Sequence, residues 1–297
     1  LPRAELDQIR NLAKSGSPIL LVGEPGAGKT GILTLLARDI ERQKAGLVLF
    51  LDTRKLLYCR NVIDLGNSIA LRGTIVDACR RLARLHSVFV IVDQFESALG
   101  QAVADILVDL AADCARIPNT FVVIASRLVT ANESRILPSR LNKGFKIVPC
   151  ELLDVSTTTR VLDKIGFKAP SDNLVQLART PLNLELLGQI AEGIPFDPSS
   201  VTDDIDLWEA MCRSLEQRLG TASSPNWGRQ VIVAAMELSR SGLSSHDGTF
   251  SLPAVTTREH ETLQSERWIK METRVIGRFM HERMQDYLYA LYASERK

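Results

Sequence analysis

Eight consecutive residues, Gly23-Glu24-Pro25-Gly26-Ala27-Gly28-Lys29-Thr30, form a glycine-rich turn that ends in a lysine and a hydroxyl. The spacing is G-x-x-x-x-G-K-[ST], and each part has a physical task. Glycines let the backbone bend tightly and turn its N–H groups inward at a polyanion. A helix opening near Gly28 adds the positive end of its dipole. Lys29 is placed to reach terminal phosphates, and the Thr30 hydroxyl to hold Mg²⁺. This is the chemistry of binding a nucleoside triphosphate. An ordinary strand-to-helix turn has no need of all these residue types together.

Three more residues extend that chemistry. Asp93 closes the apolar run 88–92. A carboxylate at a buried strand end beside the loop can hold Mg²⁺, directly or through water. The competing reading is a helix cap. Its neighbour is Gln94, so the nearest further acid is Glu96, taken as general base or water-positioning group. Arg127 follows the run 121–125 and Ser126. A guanidinium there can reach a γ-phosphate and report its presence, the alternative being a surface loop arginine. Arg140, in the segment 136–140, is either an arginine offered in trans within an oligomer or a plain loop charge.

The elements that must position these groups follow from hydrophobic periodicity. Runs at 19–22, 47–51, 88–92 and 121–125, with a weaker one at 145–148, alternate with helical patterns at 3–15, 30–44, 61–86 and 101–115. The third helical stretch, 61–86, is expected to break near Gly66 or Gly73. The run 47–51 is apolar on both faces, which predicts a strand buried inside the sheet. The fold class is α/β: a P-loop NTPase parallel sheet of about five strands with right-handed crossovers. Ligand groups then collect at the strands' carboxyl ends, where the P-loop, Asp93 and Arg127 lie. Beyond residue 152 the chain turns helical. The expected domains are a P-loop nucleotide-binding domain at 1–152, a small helical domain at 153–195 and a helical, winged-helix-like domain at 196–297. A hairpin or wing is expected near 268–276.

Composition narrows the class. A formal net charge of +1 gives no general electrostatic drive toward nucleic acid or anionic membrane. The five cysteines are scattered without C-x-x-C spacing, which reads as core thiols in a reducing, cytoplasmic setting. No apolar run approaches the roughly 20 residues that span a bilayer. The chain opens at Leu1 and closes at Lys297 just past a helical pattern. A segment of a longer protein is therefore expected, with effector and sensor regions outside it.

Four motifs in order resemble the STAND class of P-loop NTPases, relatives of AAA+ that include the NACHT and NB-ARC switches. They are the P-loop, Asp93-Gln94-Phe95-Glu96 followed by Ser126-Arg127, the helix start Arg179-Thr180-Pro181-Leu182, and Phe279-Met280-His281 ahead of Gln285-Asp286-Tyr287. The D-Q-F-E form is similar to that of bacterial members. The resemblance implies that Pro181 packs on adenine, that His281 contacts the diphosphate in a resting ADP state, and that Arg127 is the γ-phosphate sensor. It also implies an AAA+-related fold, ATP/ADP and Mg²⁺ as ligands, and adenine over guanine. Only one acid, Glu96, stands where NACHT proteins often have two.

The function so implied is a signalling ATPase. ADP gives way to ATP when a protein trigger is sensed, the chain forms a homo-oligomer, and an attached effector is activated. The bacterial resemblance points to antiviral defence, with nucleic acid reached only through a separate effector. The alternative is an AAA+ DNA-binding initiator or loader, with Arg140 acting in trans. It predicts a basic winged-helix face, whereas the arginines of 258–283 are interleaved with glutamates. A small-molecule P-loop kinase would need an acceptor pocket and lid, which the long helical second half does not offer.

Overall fold

The structure is a computed structural model that describes residues 3–14, 16–127, 145–192, 197–220, 224–243, 249–252, 257–273 and 276–295. The segment 136–140, with Arg140, lies outside them. Two compact units are present, Leu1–Leu152 and Leu153–Lys297.

The first unit runs α1 (Ala4–Lys14), β1 (Ile19–Gly23), α2 (Lys29–Arg42), β2 (Leu47–Asp52), α3 (Val62–Ser68), α4 (Ile75–Leu82), β3 (Val88–Asp93), α5 (Ala102–Ala115), β4 (Thr120–Arg127) and β5 (Lys146–Pro149). The five strands pair parallel throughout, in the order β2-β3-β4-β1-β5. Strand β4 thus lies between the P-loop strand and the strand that ends in Asp93. Alternate side chains go to opposite faces, as the pleat requires. Leu20, Val22, Val90, Val92, Val122 and Ile124 pack with residues of α3, α4 and α5. Ile19, Leu21, Ile91, Val123 and Val148 pack with Ile9, Ile32, Leu33 and Leu36. Both faces are covered, which is why these runs are apolar without alternation.

One expectation fails. Strand β2 is an edge strand, and Leu47 and Phe50 are exposed. Five apolar residues fit a flank as well as a centre, because strand order is set by crossovers the run itself does not encode. The ambiguity over 61–86 is also resolved. Gly66 stays helical, and a Cβ there would stand 2.1 Å from the Gly73 carbonyl oxygen. The break falls between Ser68 and Ile75 and holds two left-handed residues, Ala70 at φ +58° and Gly73 at φ +107°.

The second unit runs α6 (Val155–Lys164), α7 (Asp172–Ala178), α8 (Pro181–Ala191), α9 (Asp204–Leu219), α10 (Trp227–Leu243), β6 (Thr249–Ser251), α11 (Arg258–Ser265), β7 (Ile269–Met271), β8 (Ile276–Phe279) and α12 (Glu282–Glu295). The three short strands form an antiparallel sheet in the order β6-β8-β7. Helix α10, strand β6, helix α11 and the antiparallel pair β7–β8 follow one another in that order. One apolar cluster runs from Leu153 to Leu288. All five cysteines are buried free thiols. Among the described residues no helix is long and apolar enough to cross a membrane, and no His/Cys/Asp/Glu group has the makings of a metal cluster.

Candidate nucleotide site

Strand β1 delivers the chain into the loop at Gly23, and the loop can form only with glycine at two positions. Gly26 has φ +82° and Gly28 φ +96°, the left-handed region that disfavours a Cβ. Gly28 is also the N-cap of α2, and no side chain caps that helix. Its first-turn amides are therefore left for a ligand, at the positive end of the helix dipole. Ala27 donates its N–H to Glu24 O at 3.2 Å, closing the turn around Pro25.

Lys29 Nζ donates to the carbonyls of Gly23 (2.7 Å) and Glu24 (3.1 Å). Burial lowers the pKa of its ammonium, with the Glu96 carboxylate the chief opposing influence. Thr30 Oγ1 donates to Asp93 Oδ2 at 2.8 Å, which joins the two predicted Mg²⁺ ligands directly. The donor set fits a hard cation: a hydroxyl and a carboxylate oxygen meet beside the phosphate loop. Asp93 is 3% exposed, and burial raises its carboxyl pKa to about 6. The Thr30 hydrogen bond opposes that rise, while Asp52 adds to it.

The segment after Asp93 is turned by Gln94, a non-glycine residue at φ +57°. Such a conformation costs about 1 kcal/mol and persists only where surroundings impose it. Here Gln94 N–H donates to Asp93 Oδ1 at 3.0 Å, and the wholly buried Phe95 anchors the following 3₁₀ turn, Phe95–Ala98. The turn sets Glu96 against Arg127, with Nε to Oε1 at 3.3 Å. The other oxygen, Oε2, is buried and has no protein partner. A buried lone oxygen beside a phosphate loop is suited to receive a water. Arg127 ends β4 directly across the ladder from Gly23. Lys29, Thr30, Asp93, Glu96 and Arg127 are thus brought together in the first unit.

Pro181 and His281 belong to the second unit. Pro181 takes the first helical position of α8. His281 precedes α12 and is half-buried; burial lowers its pKa, opposed by the Glu185 carboxylate of α8. Asp204 ties the same corner together, accepting from Asn183 Nδ2 at 2.9 Å and from Arg283 Nη1 at 2.7 Å.

Two groups near the loop escaped the reading of the sequence. Asp52 ends β2 level with Asp93 in the ladder and is ion-paired to Arg54 at 3.0 Å. Its signal, an acid closing an apolar run, is the same as that of Asp93. Arg3 and Cys150 touch the back of the P-loop, and no local pattern foretells it.

The buried charge of Asp93 has a measurable cost. Its folded pKa stands above the unfolded value, so this group favours the fold fully below about pH 4, and that contribution is lost as pH rises through about 6. At pH 8 the penalty is about 3 kcal/mol. Asp93→Asn can still accept from Gln94 N–H and can donate to the Thr30 oxygen, without the charge. Calorimetric melts of nucleotide-free protein should place this variant above wild type at pH 8 and level with it near pH 4. Excess Mg²⁺ and nucleotide should reverse the order.

No protein-family profile matches the chain, and neither does any curated protein. Among solved structures it is similar to the Orc1 protein of Aeropyrum pernix in complex with DNA, at 18% identity over 100% of this chain and 94% of that one, with a TM-score of 0.46. A Walker-type ATPase of Pyrococcus abyssi is similar at 17% identity, covering 97% and 95% of the two chains, with a TM-score of 0.44. AMPPCP-bound DnaA from Aquifex aeolicus is similar at 14% identity over 80% and 87%, with a TM-score of 0.43. Likeness at this level carries no weight on its own. By strand order and loop geometry, the first unit has the parallel α/β fold of a P-loop NTPase.

Proposed function

We propose that the chain is an ATP-binding and ATP-hydrolysing module that works as a conformational switch. The observation that carries this reading is the Thr30–Asp93 contact beside Lys29, with Glu96 and Arg127 paired at the neighbouring strand ends. Loop amides and Lys29 hold the phosphates, and Thr30 and Asp93 hold Mg²⁺, which supplies charge neutralisation when bound. Glu96 orients the attacking water and takes its proton. Arg127 senses the γ-phosphate, and in its absence is paired to Glu96.

Two outputs divide the proposal. In the signalling reading, His281 and Pro181 report the diphosphate and adenine of a resting ADP state. A protein trigger then promotes exchange for ATP, self-assembly and activation of an effector outside this segment, as in bacterial antiviral STAND proteins. The Glu185, Asp204 and Arg283 groups that hold the His281 corner support it. In the other reading the second unit engages DNA, as an initiator or loader does, and the winged-helix order of its elements favours this. The surface of α11 opposes it: Glu259 and Glu261 stand in its first turn, and the Arg258 guanidinium lies 4.5 Å over the Trp227 ring. DNA contact calls for a basic face instead.

The test is to identify co-purifying nucleotide by mass spectrometry and to follow turnover and particle size with ATP, duplex DNA and candidate protein triggers. Retained ADP, lost in His281→Ala, with ATP-dependent assembly supports signalling. Turnover raised several-fold by DNA, with a steep salt dependence, supports the initiator reading. Absence of ATP turnover under every condition would sink both.

A further inference from the structure

Arg3 is a long way from the phosphate loop in sequence and against it in space. Its side chain is 9% exposed, and one nitrogen, Nη2, faces four acceptors: Glu5 Oε1 at 2.8 Å, Glu151 O at 2.9 Å, Ala27 O at 3.2 Å and Cys150 Sγ at 3.2 Å. Cys150 Sγ lies 3.3 Å from the same Ala27 oxygen and donates to it. The Ala27 carbonyl, in the middle of the P-loop, is therefore held from behind by a guanidinium and a thiol. The arrangement is not cheap for folding. Arg3 Nε is buried with no partner, and a buried donor left unsatisfied costs stability. Something other than stability has to account for an arginine here.

The peptide plane supplies the account. Among the described residues no peptide bond is cis, so the Ala27 carbonyl and the Gly28 N–H point in opposite directions from one rigid unit. Gly28 is the uncapped N-cap of α2, at φ +96° and ψ +17°. With glycine at Gly26 and Gly28 the loop has little stiffness of its own, and this peptide is free to flip unless it is held. Donors on the carbonyl fix the plane and also polarise it, which strengthens the N–H on the far side.

We propose that Arg3, assisted by the Cys150 thiol, is a positioning residue for the phosphate cradle: it pins the Ala27–Gly28 peptide so that the Gly28 N–H is presented to a bound nucleotide phosphate. The inference rests on the P-loop being the nucleotide site and goes beyond it in assigning a role to residues outside the loop. Because the pinned amide serves a phosphate that ADP and ATP share, it acts on binding of both, and kcat is little affected.

The experiment is isothermal titration of ADP and of β,γ-methylene ATP into wild type and into Arg3→Met, Glu5→Ala, Cys150→Ser, Cys150→Ala and Lys29→Ala, with kcat for ATP measured alongside. Arg3→Met should weaken both nucleotides about tenfold, as for one lost hydrogen bond and a nearby positive charge. Its kcat should stay within about threefold of wild type. Cys150→Ser keeps a donor and should bind within about twofold of wild type, while Cys150→Ala should lose about threefold. Glu5→Ala breaks the ion pair and the 3.0 Å bond from Glu151 N–H but leaves Arg3 on Ala27, so it should lower the melting temperature more than the affinity. Equal affinity losses in Glu5→Ala and Arg3→Met would show that Arg3 acts only by holding the fold, and the proposal would fall. It would fall too if Arg3→Met bound nucleotide as wild type does. In both cases Lys29-dependent binding would leave the P-loop reading standing. Binding in wild type that Lys29→Ala does not weaken would overturn both.

Discussion

Lys29→Ala should lower affinity for ADP and ATP by about 10- to 100-fold, with the fold intact. The ammonium sits on the carbonyls of Gly23 and Glu24, at 2.7 and 3.1 Å, at the mouth of the loop. Both carbonyls can turn to water when the side chain is cut back, so little stability is lost. Phosphate has no such substitute. A charge-assisted hydrogen bond to a phosphate oxygen is worth about 1.5–3 kcal/mol, which sets the size of the expected loss. Titration calorimetry with each nucleotide gives the affinity, and a thermal melt without nucleotide gives the control. Unchanged affinity would mean that phosphate is bound elsewhere, and the reading of Gly23 to Thr30 would be wrong.

Glu96→Gln should cut kcat for ATP hydrolysis by about 10²–10³-fold while nucleotide still binds, the size expected for a general base. Geometry rather than proximity in sequence makes Glu96 the candidate. Asp93 is committed to Thr30 and to the Gln94 amide. Gln94 has no basic oxygen, and its left-handed backbone makes it the pivot of the turn. Among the described carboxylates, Glu96 is the one that leaves an oxygen buried and unpartnered, and it lies beside Arg127. Glutamine keeps the shape and an acceptor for Arg127 but cannot take a proton from water. Phosphate release under saturating ATP gives the rate, and Gln94→Ala serves as comparison at a loss of less than about tenfold. If Gln94→Ala proves as damaging as Glu96→Gln, the base has been misassigned.

What the sequence settled by itself was local. A glycine-rich loop closing in Lys29-Thr30 fixes the phosphate chemistry, because few other arrangements of those residue types make sense. Continuous apolar runs fix parallel strands covered on both faces, and an acid or arginine at the end of a run fixes which groups share the sheet's carboxyl edge. The helix break was legible too, although only packing kept Gly66 inside the helix and set the break past Ser68. The tertiary structure decided the rest. Placing β2 at the edge depends on crossovers that its five apolar residues do not encode. The contact of Glu96 with Arg127, 31 residues apart, depends on the strained Gln94 and the buried Phe95. Arg3 meets Ala27 across 24 residues and Cys150 across 147. Periodicity and spacing report a residue's own element. They carry no record of which distant element arrives on its other side, and that contact sets the burial, pairing and orientation on which the chemistry runs.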